Sequence, residues 1–359
     1  MVDTAWTGPS AEDPIVVWGG GAIGGTIAAY WARAGIPVLL VDRVSEHVQA
    51  CRSMGLVIEG KIDNFVQRVE ARTPGELQGR YSCIVLAVKA DATAAALPEL
   101  LLHLKDDGFI LSAQNGLNET EIARQAGAER TMGCFVNFGA DWLGPGRVLY
   151  GGRGEVWLGE VDGAPRERTR QMQRLLQIFE PDAVLTDNIW GVLWAKLAYA
   201  SMLFATSLNN DGMAGNFGDP AREAVFVKLG QEVLAVAHAR QIKPDAFASF
   251  DPAAFEPGAA PGSARRWLDL LAERRRHAGK THSGFWRDLA VRKRRTEVDV
   301  LLGVVVELGQ TCAVPTSALA VLVGLVHDIE DGRRELSMDT FNVLRTACEP
   351  PSRPTCAVQ

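Results

Sequence analysis

The stretch from Ile15 to Arg43, IVVWGGGAIGGTIAAYWARAGIPVLLVDR, constrains the fold of this chain more than any other. A short apolar run ends in a glycine-rich turn, and a run of helical composition follows. Gly35 then separates this run from a second apolar segment that is rich in valine and leucine. Short apolar runs on both sides of such a helix are typical of parallel strands. The stretch therefore predicts a strand–helix–strand unit.

Three glycines of the turn, Gly19, Gly21 and Gly24, have the spacing G-x-G-x-x-G. In this motif the first glycine permits a tight turn, the second lets the backbone approach a pyrophosphate, and the third lets helix and strand pack closely. A helix whose first residues are Ala22 and Ile23 would offer the free N–H groups of its first turn and the positive end of its dipole to the phosphates. In this strand–helix context, the motif predicts that residues 19–24 bind a dinucleotide.

The acidic residue after the second strand extends this prediction to the ribose. Asp42 follows Gly24 by eighteen residues, about where a carboxylate binds the ribose hydroxyls of NAD. It would repel the 2′-phosphate of NADP, whereas Arg43 could pair with that phosphate. Arg43 could equally be a solvated charge on a loop. The sequence therefore predicts NADPH or NADH as the cofactor and slightly favours NADH.

Length and composition are typical of a soluble protein with two domains. The 359 residues are 47% hydrophobic, and the net charge of −6 gives no electrostatic case for binding nucleic acid or an anionic membrane. Residues 1–13 lack the basic start and apolar core of a signal peptide. The six cysteines show neither a C-x-x-C pair nor metal-ligand spacing. We therefore expect a cytoplasmic protein with reduced cysteines and no metal site.

The hydrophobic pattern changes character near residue 187. Before it, apolar strand-like runs alternate with helical segments, as in a doubly wound α/β domain. After it, strand patterns disappear and long helical periods follow, including one predicted helix over 285–312. Apolar stripes on these helices suggest a homodimer. We predict a loose leader (1–13), a Rossmann-type dinucleotide-binding domain (14–187), an all-helical substrate and dimerisation domain (188–348) and a disordered tail (349–359).

Two polar residues stand at the ends of predicted parallel strands. Lys89 follows the run YSCIVLAV, and Asn115 follows ILSAQ. Ligands of doubly wound sheets bind at the carboxyl ends of the strands, so both residues are candidates to contact cofactor or substrate. The alternative is that each is simply solvated at a strand end.

The segment 189–208, IWGVLWAKLAYASMLFATSL, contains a single charge, Lys196. A lysine near the middle of a membrane span would cost about 2.5–3.5 kcal/mol on insertion, so we predict a helix of a globular domain and no membrane contact. Burial makes an ammonium group easier to deprotonate, which suits Lys196 to donate a proton near neutral pH. The alternative is that its side chain snorkels past a packed stem to water.

Glu297 is the second candidate in the helical region. It lies in the sequence RRTEVD, where we expect it to border the apolar stripe of the helix predicted over 285–312 and to reach a cleft. The alternative is a solvated helix face whose arginines form surface ion pairs. Taken alone, the sequence pattern favours this alternative.

Together these segments resemble the ketopantoate reductase (2-dehydropantoate 2-reductase) family over about residues 14–330. The resemblance implies a Rossmann domain followed by an all-helical domain, with active-site residues from both. The shared motifs occur in one order along the chain: GGGAIGG, VKA at Val88–Ala90, QNG at Gln114–Gly116, W-x-K-L at Trp194–Leu197 and R-x-T-E-V-D at Arg294–Asp299.

The resemblance also implies roles for four of the candidate residues. Lys196 would be the general acid that protonates the ketone oxygen as hydride reaches the carbon, and Glu297 would bind a substrate hydroxyl. Asn115 would help to place the nicotinamide and the substrate, and Lys89 would contact one or the other. A ketone that becomes an alkoxide needs a proton donor within hydrogen-bond reach, which fits a lysine on independent chemical grounds.

The chain departs from the family pattern around Lys196. Family members commonly place asparagines four and eight residues after the lysine, where this chain has Ala200 and Phe204. A serine-rich family segment is replaced by HSGFWRD, residues 282–288. The resulting pocket would be less polar, which leaves the identity of the 2-oxo acid open. The candidates for binding its carboxylate are His282, Ser283 and Arg287, with helix capping as the alternative for Ser283.

The sequence thus predicts an NAD(P)H-dependent reductase of a small 2-oxo acid, ketopantoate or an analogue. One alternative is a dehydrogenase of a different hydroxy acid or an imine. A second is a dinucleotide-binding regulator without catalysis.

Overall fold

The structure is a computed structural model that describes residues 6–277 and 280–349. Two compact units divide the chain, Met1–Leu193 and Trp194–Gln359. The division falls within a helix, and the domain boundary that we place at residues 187 and 188 remains a prediction. The predicted disordered tail lies outside the described residues except for Glu349.

The first unit combines strands and helices in alternation. Its helices are α1 (Ala22–Arg33), α2 (Ser45–Ser53), α3 (Thr93–Leu102), α4 (Asn118–Ala126) and α5 (Glu167–Leu176). Its strands are β1 (Ile15–Trp18), β2 (Val38–Val41), β3 (Leu56–Glu59), β4 (Phe65–Gln67), β5 (Glu70–Arg72), β6 (Tyr81–Leu86), β7 (Leu104–Ser112), β8 (Thr131–Val136), β9 (Gly139–Gly144), β10 (Arg147–Gly152), β11 (Val156–Glu160) and β12 (Val184–Leu185).

An eight-stranded sheet organises this unit, in the order β12-β11-β8-β7-β6-β1-β2-β5. The six strands from β8 to β5 are parallel, and only β11 joins its neighbour β8 in the antiparallel sense. The chain leaves β1 towards β2 on one side and returns through β6 on the other, which confirms the predicted doubly wound α/β fold. A smaller sheet has the order β4-β3-β10-β9.

Both faces of the central strands are buried, as expected of a parallel sheet covered by helices. Along β1 the side chains alternate between two hydrophobic clusters. Ile15 and Val17 belong to one, and Val16 and Trp18 belong to the other. The carboxyl ends of β1 and β6 lie side by side at the point where the strand order reverses, which is where doubly wound sheets bind ligands.

The second unit is helical, as predicted from the loss of strand patterns. It comprises most of α6 (Ile189–Ala205), then α7 (Met213–Gly218), α8 (Glu223–Ala239), α9 (Ser263–His277), α10 (Gly284–Ala290), α11 (Val304–Thr311), α12 (Ser317–Glu330) and α13 (Met338–Cys348). None of the helices in the described ranges is long and apolar enough to cross a membrane.

The predicted continuous helix over 285–312 is wrong. The chain leaves the helical path after α10, passes through a left-handed conformation at Lys293 (φ 50°), and re-enters a helix through a π-turn at Asp299–Gly303. Asp288 causes much of this break, because its carboxylate accepts hydrogen bonds from Arg292 (2.8 Å) and Arg294 (3.0 Å). The segment therefore folds back on the end of α10.

Within the predicted loose leader over residues 1–13, Trp6 and Asp13 contact the sheet. The Trp6 ring packs edge-on against Phe109, with ring centroids 5.2 Å apart. Asp13 accepts hydrogen bonds from the Ser82 hydroxyl (2.6 Å) and from Lys105 Nζ (2.7 Å). These contacts fix the segment to β6 and β7, and the pattern of the thirteen residues alone gave no sign of them.

Candidate functional site

The glycine loop lies between β1 and α1, as the motif predicts. Gly19 has a φ of 108°, and a Cβ there would lie 2.7 Å from the backbone nitrogen of Val88. A Cβ on Gly24 would lie 1.9 Å from the carbonyl oxygen of Gly19. Gly21 precedes the first turn of α1, and a Cβ on it would meet no atom within 4 Å. Two glycines are thus required by packing, whereas Gly21 leaves open space at the helix N-terminus.

The first turn of α1 contains Ala22 and Ile23 and has no acidic residue. Its free N–H groups and the positive end of the helix dipole therefore face the space beside Gly21 without a competing carboxylate of the same turn. This arrangement fits a bound pyrophosphate. That these residues bind a dinucleotide remains a prediction.

Asp42 forms a hydrogen bond with the glycine loop. Its Oδ2 accepts a hydrogen bond from the Gly20 nitrogen (2.7 Å), and its Oδ1 accepts one from the Val44 nitrogen (2.9 Å). The carboxylate is therefore held in one orientation at the end of β2, half-buried, while the neighbouring Arg43 is exposed. Each oxygen has a second lone pair with which it could accept a ribose hydroxyl.

Lys89 and Asn115 are both exposed, each beyond the carboxyl end of a parallel strand. A buried network that the sequence analysis missed links the two positions. Gln114 Nε2 donates to the Val88 carbonyl (2.8 Å) and to Thr93 Oγ1 (2.7 Å).

The same network continues through the start of α4. The Thr93 hydroxyl donates to Asn118 Oδ1 (3.0 Å), and Asn118 Nδ2 donates to the Asn115 carbonyl (2.7 Å). The turns after β6 and β7 are therefore fixed to each other. The glutamine of the QNG turn, at the end of an apolar strand, was the available clue, because a buried amide must find partners.

In the second unit, α6 holds Lys196 half-buried between the buried residues Ala195 and Leu197. Tyr199 lies on the same side of the helix and is buried. Its hydroxyl accepts a hydrogen bond from Arg275 Nη2 on α9 (2.6 Å). This arginine, which the sequence analysis did not single out, places a second cation near the face of α6 that carries Lys196.

The residues that replace the family's asparagines lie in apolar surroundings. Ala200 is buried, and Phe204 stacks on Phe285 of α10 with ring centroids 3.6 Å apart and planes inclined by 13°. The two departures from the family pattern, at Phe204 and in the segment 282–288, therefore form one contact. Neither change could have been paired with the other from the sequence.

The segment that begins α10 uses its polar groups locally. Ser283 Oγ accepts a hydrogen bond from the Trp286 nitrogen (3.1 Å), which is the capping arrangement named as the alternative to substrate binding. His282 stacks on the Trp286 ring at 3.9 Å, and its Nε2 lies 3.2 Å from the Asn210 carbonyl. Arg287 is half-buried. Substrate contacts by His282, Ser283 and Arg287 remain predictions.

Glu297 precedes its helix rather than lying on the helix face, which corrects the sequence-based placement. Its side chain is half-buried, and its carbonyl accepts the Leu301 N–H (3.0 Å) of the π-turn. The neighbouring Thr296 fixes the segment, since its nitrogen and hydroxyl both donate to Glu330 Oε1 at 2.7 Å. Glu297 is thus presented by an anchored loop.

Comparison with known proteins agrees with the fold and the residue pattern. A family model described as ketopantoate reductase PanE/ApbA matches residues 15–163, and one described as ketopantoate reductase PanE/ApbA C terminal matches residues 188–330. A 2-dehydropantoate 2-reductase of Archaeoglobus fulgidus is 25% identical over 322 residues, 89% of this chain and 98% of the relative. One of Pyrococcus abyssi is 32% identical over 188 residues, 51% of this chain and 59% of the relative.

Solved structures share the whole fold. A PanE/ApbA family ketopantoate reductase from Ralstonia eutropha has a TM-score of 0.73 and 27% identity, and the match covers 90% of this chain and all of that one. D-mandelate dehydrogenase in a ternary structure with NADH and anilino(oxo)acetate has a TM-score of 0.75 and 22% identity. The match covers 89% of this chain and 99% of that one. The second likeness shows the fold alone.

The doubly wound sheet, the glycine loop at its switch point and the following helical unit define an NAD(P)-dependent oxidoreductase. The two family models cover most of the chain, one in each part. The chain belongs to the ketopantoate reductase family. This membership supports reduction of a 2-oxo acid.

Proposed function

We propose that this protein reduces the ketone of a small 2-oxo acid and that Lys196 is the general acid. The observation that carries the proposal is a half-buried ammonium group on helix α6, whose other residues are uncharged. The nicotinamide cofactor, when bound, supplies the hydride. The protein must then give a proton to the ketone oxygen, and an ammonium group can both donate it and stabilise the negative charge that develops.

The remaining candidates would bind and orient the reactants. Glu297 would accept a hydrogen bond from a hydroxyl of the substrate. Ser283, at the start of α10, would contact the substrate carboxylate. Lys89 and Asn115 would contact the cofactor or the substrate from the turns after β6 and β7. The support is the rigidity of the segments that carry them, because preorganised groups lose little entropy when a ligand binds.

The test is turnover by Lys196→Ala. We expect kcat to fall by about 10²–10⁴-fold, the usual contribution of a positioned proton donor, while the Kd for NADH or NADPH stays within twofold. Lys61→Ala, a change at an exposed lysine of the first unit, is the matched control. Near-normal turnover by Lys196→Ala would exclude this lysine as the acid.

Two other functions predict different results in the same assays. A dehydrogenase of another hydroxy acid or an imine would show, in a panel run in both directions, faster oxidation of that hydroxy acid or faster turnover of an imine than reduction of any 2-oxo acid. A regulator would bind the dinucleotide and turn over nothing.

We further propose that NADH is preferred over NADPH. The fixed Asp42 carboxylate would face the adenosine ribose and repel a 2′-phosphate. Exposed Arg43 would offset this repulsion only in part, because ordering its long side chain costs conformational entropy. The D-mandelate dehydrogenase that shares the fold was solved with NADH. We expect Asp42→Ala to lower the ratio of kcat/KM for NADH to kcat/KM for NADPH, and Arg43→Ala to raise it. A wild-type preference for NADPH would refute the proposal.

The stacked pair Phe204–Phe285 favours a 2-oxo acid with an apolar or aromatic side chain. The face of α6 near Lys196 offers Ala200 and a half-buried Leu203, and no amide follows the lysine on this face. D-mandelate dehydrogenase, which binds anilino(oxo)acetate in its structure, provides an example of an aromatic 2-oxo acid on this fold.

A substrate panel tests this preference. We expect kcat/KM for phenylglyoxylate or phenylpyruvate to exceed that for ketopantoate, and Phe285→Leu, which keeps apolar area but removes the ring, to reduce only the aromatic advantage. A higher kcat/KM for ketopantoate would refute the preference and leave the reductase assignment intact.

We also propose a homodimer. A structural neighbour from Staphylococcus aureus is described as a dimeric ketopantoate reductase, with a TM-score of 0.68 and 17% identity. Sedimentation equilibrium should give about twice the chain mass of 38.8 kDa. A monomer at micromolar concentrations would contradict this proposal.

A further inference from the structure

A buried histidine lies directly behind the glycine loop. His47, on α2, is 1% exposed and sits between the loop and the turn that joins β9 to β10. Its Nδ1 accepts a hydrogen bond from the Gly146 nitrogen at 2.9 Å. A neutral imidazole that accepts at Nδ1 carries its proton on Nε2. The Nε2–H is therefore available for a second contact.

That second contact is with Gly20, the residue between the first two glycines of the motif. A Cβ on Gly20 would lie 2.6 Å from His47 Nε2 and 3.0 Å from its Cδ2, so the ring occupies the position of any side chain there. The Gly20 backbone also forms a hydrogen bond with the ring. Cys51 Sγ is 3.8 Å from Nε2 and is a neutral thiol, because burial raises its pKa to about 12.

The Gly20 peptide is consequently held from two directions. Its N–H donates to Asp42 Oδ2 at 2.7 Å, and His47 packs against its other side. Burial lowers the pKa of His47, although Asp42 and the Gly20 backbone act in the opposite direction. The ring is thus kept neutral, with Nδ1 able to accept from Gly146.

We propose that His47 is a positioning residue for the dinucleotide: through Gly20 it fixes Gly21 and the first turn of α1, where the pyrophosphate binds. The inference rests on the proposed dinucleotide site and adds a residue outside the G-x-G-x-x-G motif. It also explains why Gly20, at a variable position of the motif, is a glycine in this chain. A bulkier residue would collide with the ring.

The Kd for NADH, measured by direct titration and monitored through nicotinamide fluorescence, tests the inference without requiring turnover. His47→Asn keeps an acceptor near the position of Nδ1 for Gly146 but no longer reaches Gly20. We expect this variant to bind NADH at least tenfold more weakly, with kcat at saturating NADH and KM for the oxo acid within twofold of wild type. His238→Ala, which changes an exposed histidine of the second unit bonded to Glu256, is the matched control.

A double-mutant cycle provides the readout that a general loss of stability would not produce. Gly20→Ala should also weaken NADH binding at least tenfold, because its Cβ would collide with the ring. Combining it with His47→Ala removes the collision. The double variant should therefore bind NADH at least fivefold more tightly than expected from multiplying the losses of affinity in Gly20→Ala and His47→Ala.

Three results would overturn the inference. The first is wild-type affinity for NADH in His47→Asn, and the second is strict additivity in the cycle. The third is an equal loss of kcat and NADH affinity in parallel with a lower Tm. If the wild-type protein binds neither NADH nor NADPH, the dinucleotide site itself is wrong, and the inference falls with it.

Discussion

Gly21 and Gly24 belong to one motif, but the structure predicts opposite consequences for replacing them with alanine. A Cβ on Gly24 would lie 1.9 Å from the Gly19 carbonyl oxygen and 3.0 Å from Val17 Cγ1. The first of these is a backbone atom, so the collision cannot be relieved by a side-chain rotation. A Cβ on Gly21 meets nothing within 4 Å, and the φ of Gly21, −68°, suits any L-residue.

The two substitutions therefore differ in the property that they change. Forcing extra volume into a packed site costs about 1–3 kcal/mol, which for a unit of this size lowers Tm by roughly 2–12 °C. We expect this loss for Gly24→Ala. For Gly21→Ala we expect a stability change below about 1 kcal/mol, since alanine is only a poorer N-cap than glycine. Its Cβ would instead occupy the space that a pyrophosphate approaches, and a tenfold higher Kd corresponds to about 1.4 kcal/mol.

Thermal unfolding and NADH titration on both variants separate these effects. Gly35→Ala is a control for backbone strain alone, because Gly35 has a φ of 79° and a Cβ there meets no atom within 4 Å. It should lower Tm without a change in Kd. The reasoning is refuted if Gly21→Ala binds NADH like the wild type, or if Gly24→Ala is as stable as the wild type.

Three further predictions concern stability. Burial raises the pKa of Glu180 despite the hydrogen bond that Tyr150 donates to it, so the folded protein takes up this proton more readily than the unfolded chain; the free energy of unfolding should fall as pH rises through the folded-state pKa, and Glu180→Gln should remove this slope in urea titrations carried upward from about pH 4. Asp13→Asn should cost about 1 kcal/mol at pH 7, measured by urea unfolding, because Ser82 and Lys105 donate to a partly exposed carboxylate; a free energy of unfolding equal to that of the wild type would show that these two contacts add nothing. Thr296→Val removes a hydroxyl donor to Glu330, whose side chain is 2% exposed, and should cost about 1–3 kcal/mol; unchanged stability would mean that the Thr296 N–H and Arg295 satisfy this carboxylate without the hydroxyl.

The cofactor half of the fold could be predicted from the sequence because its determinants are local. The glycine spacing, the apolar strands and Asp42 all lie within Ile15–Arg43, and a strand–helix–strand unit is set by contacts over short sequence distances. The link between Gln114 and Val88 was beyond such reasoning, since it joins residues 26 positions apart through a buried amide. The pattern gave the positions of the strand ends but not what holds them together.

The helical half was less predictable for a physical reason. The residues 291–297 have the charge pattern of a solvated helix, and intrinsic preference alone would continue the helix through them. Asp288 overrides that preference by binding two arginines that follow it, and Glu330, which lies 34 residues after Thr296, anchors the segment from α12. Ion pairs and hydrogen bonds of this kind leave no periodic trace in the sequence.

Asp42, which we propose as a ribose-binding residue, is also a structural one. Its two oxygens accept the N–H groups of Gly20 and Val44, so the same carboxylate that would select the cofactor also holds the loop that would bind the phosphates. Removing it to admit a 2′-phosphate would release Gly20 on one side and leave His47 as the remaining support. A change of cofactor preference in this chain therefore requires a residue at position 42 that still accepts the Gly20 N–H, and serine or asparagine should give a larger gain for NADPH than alanine.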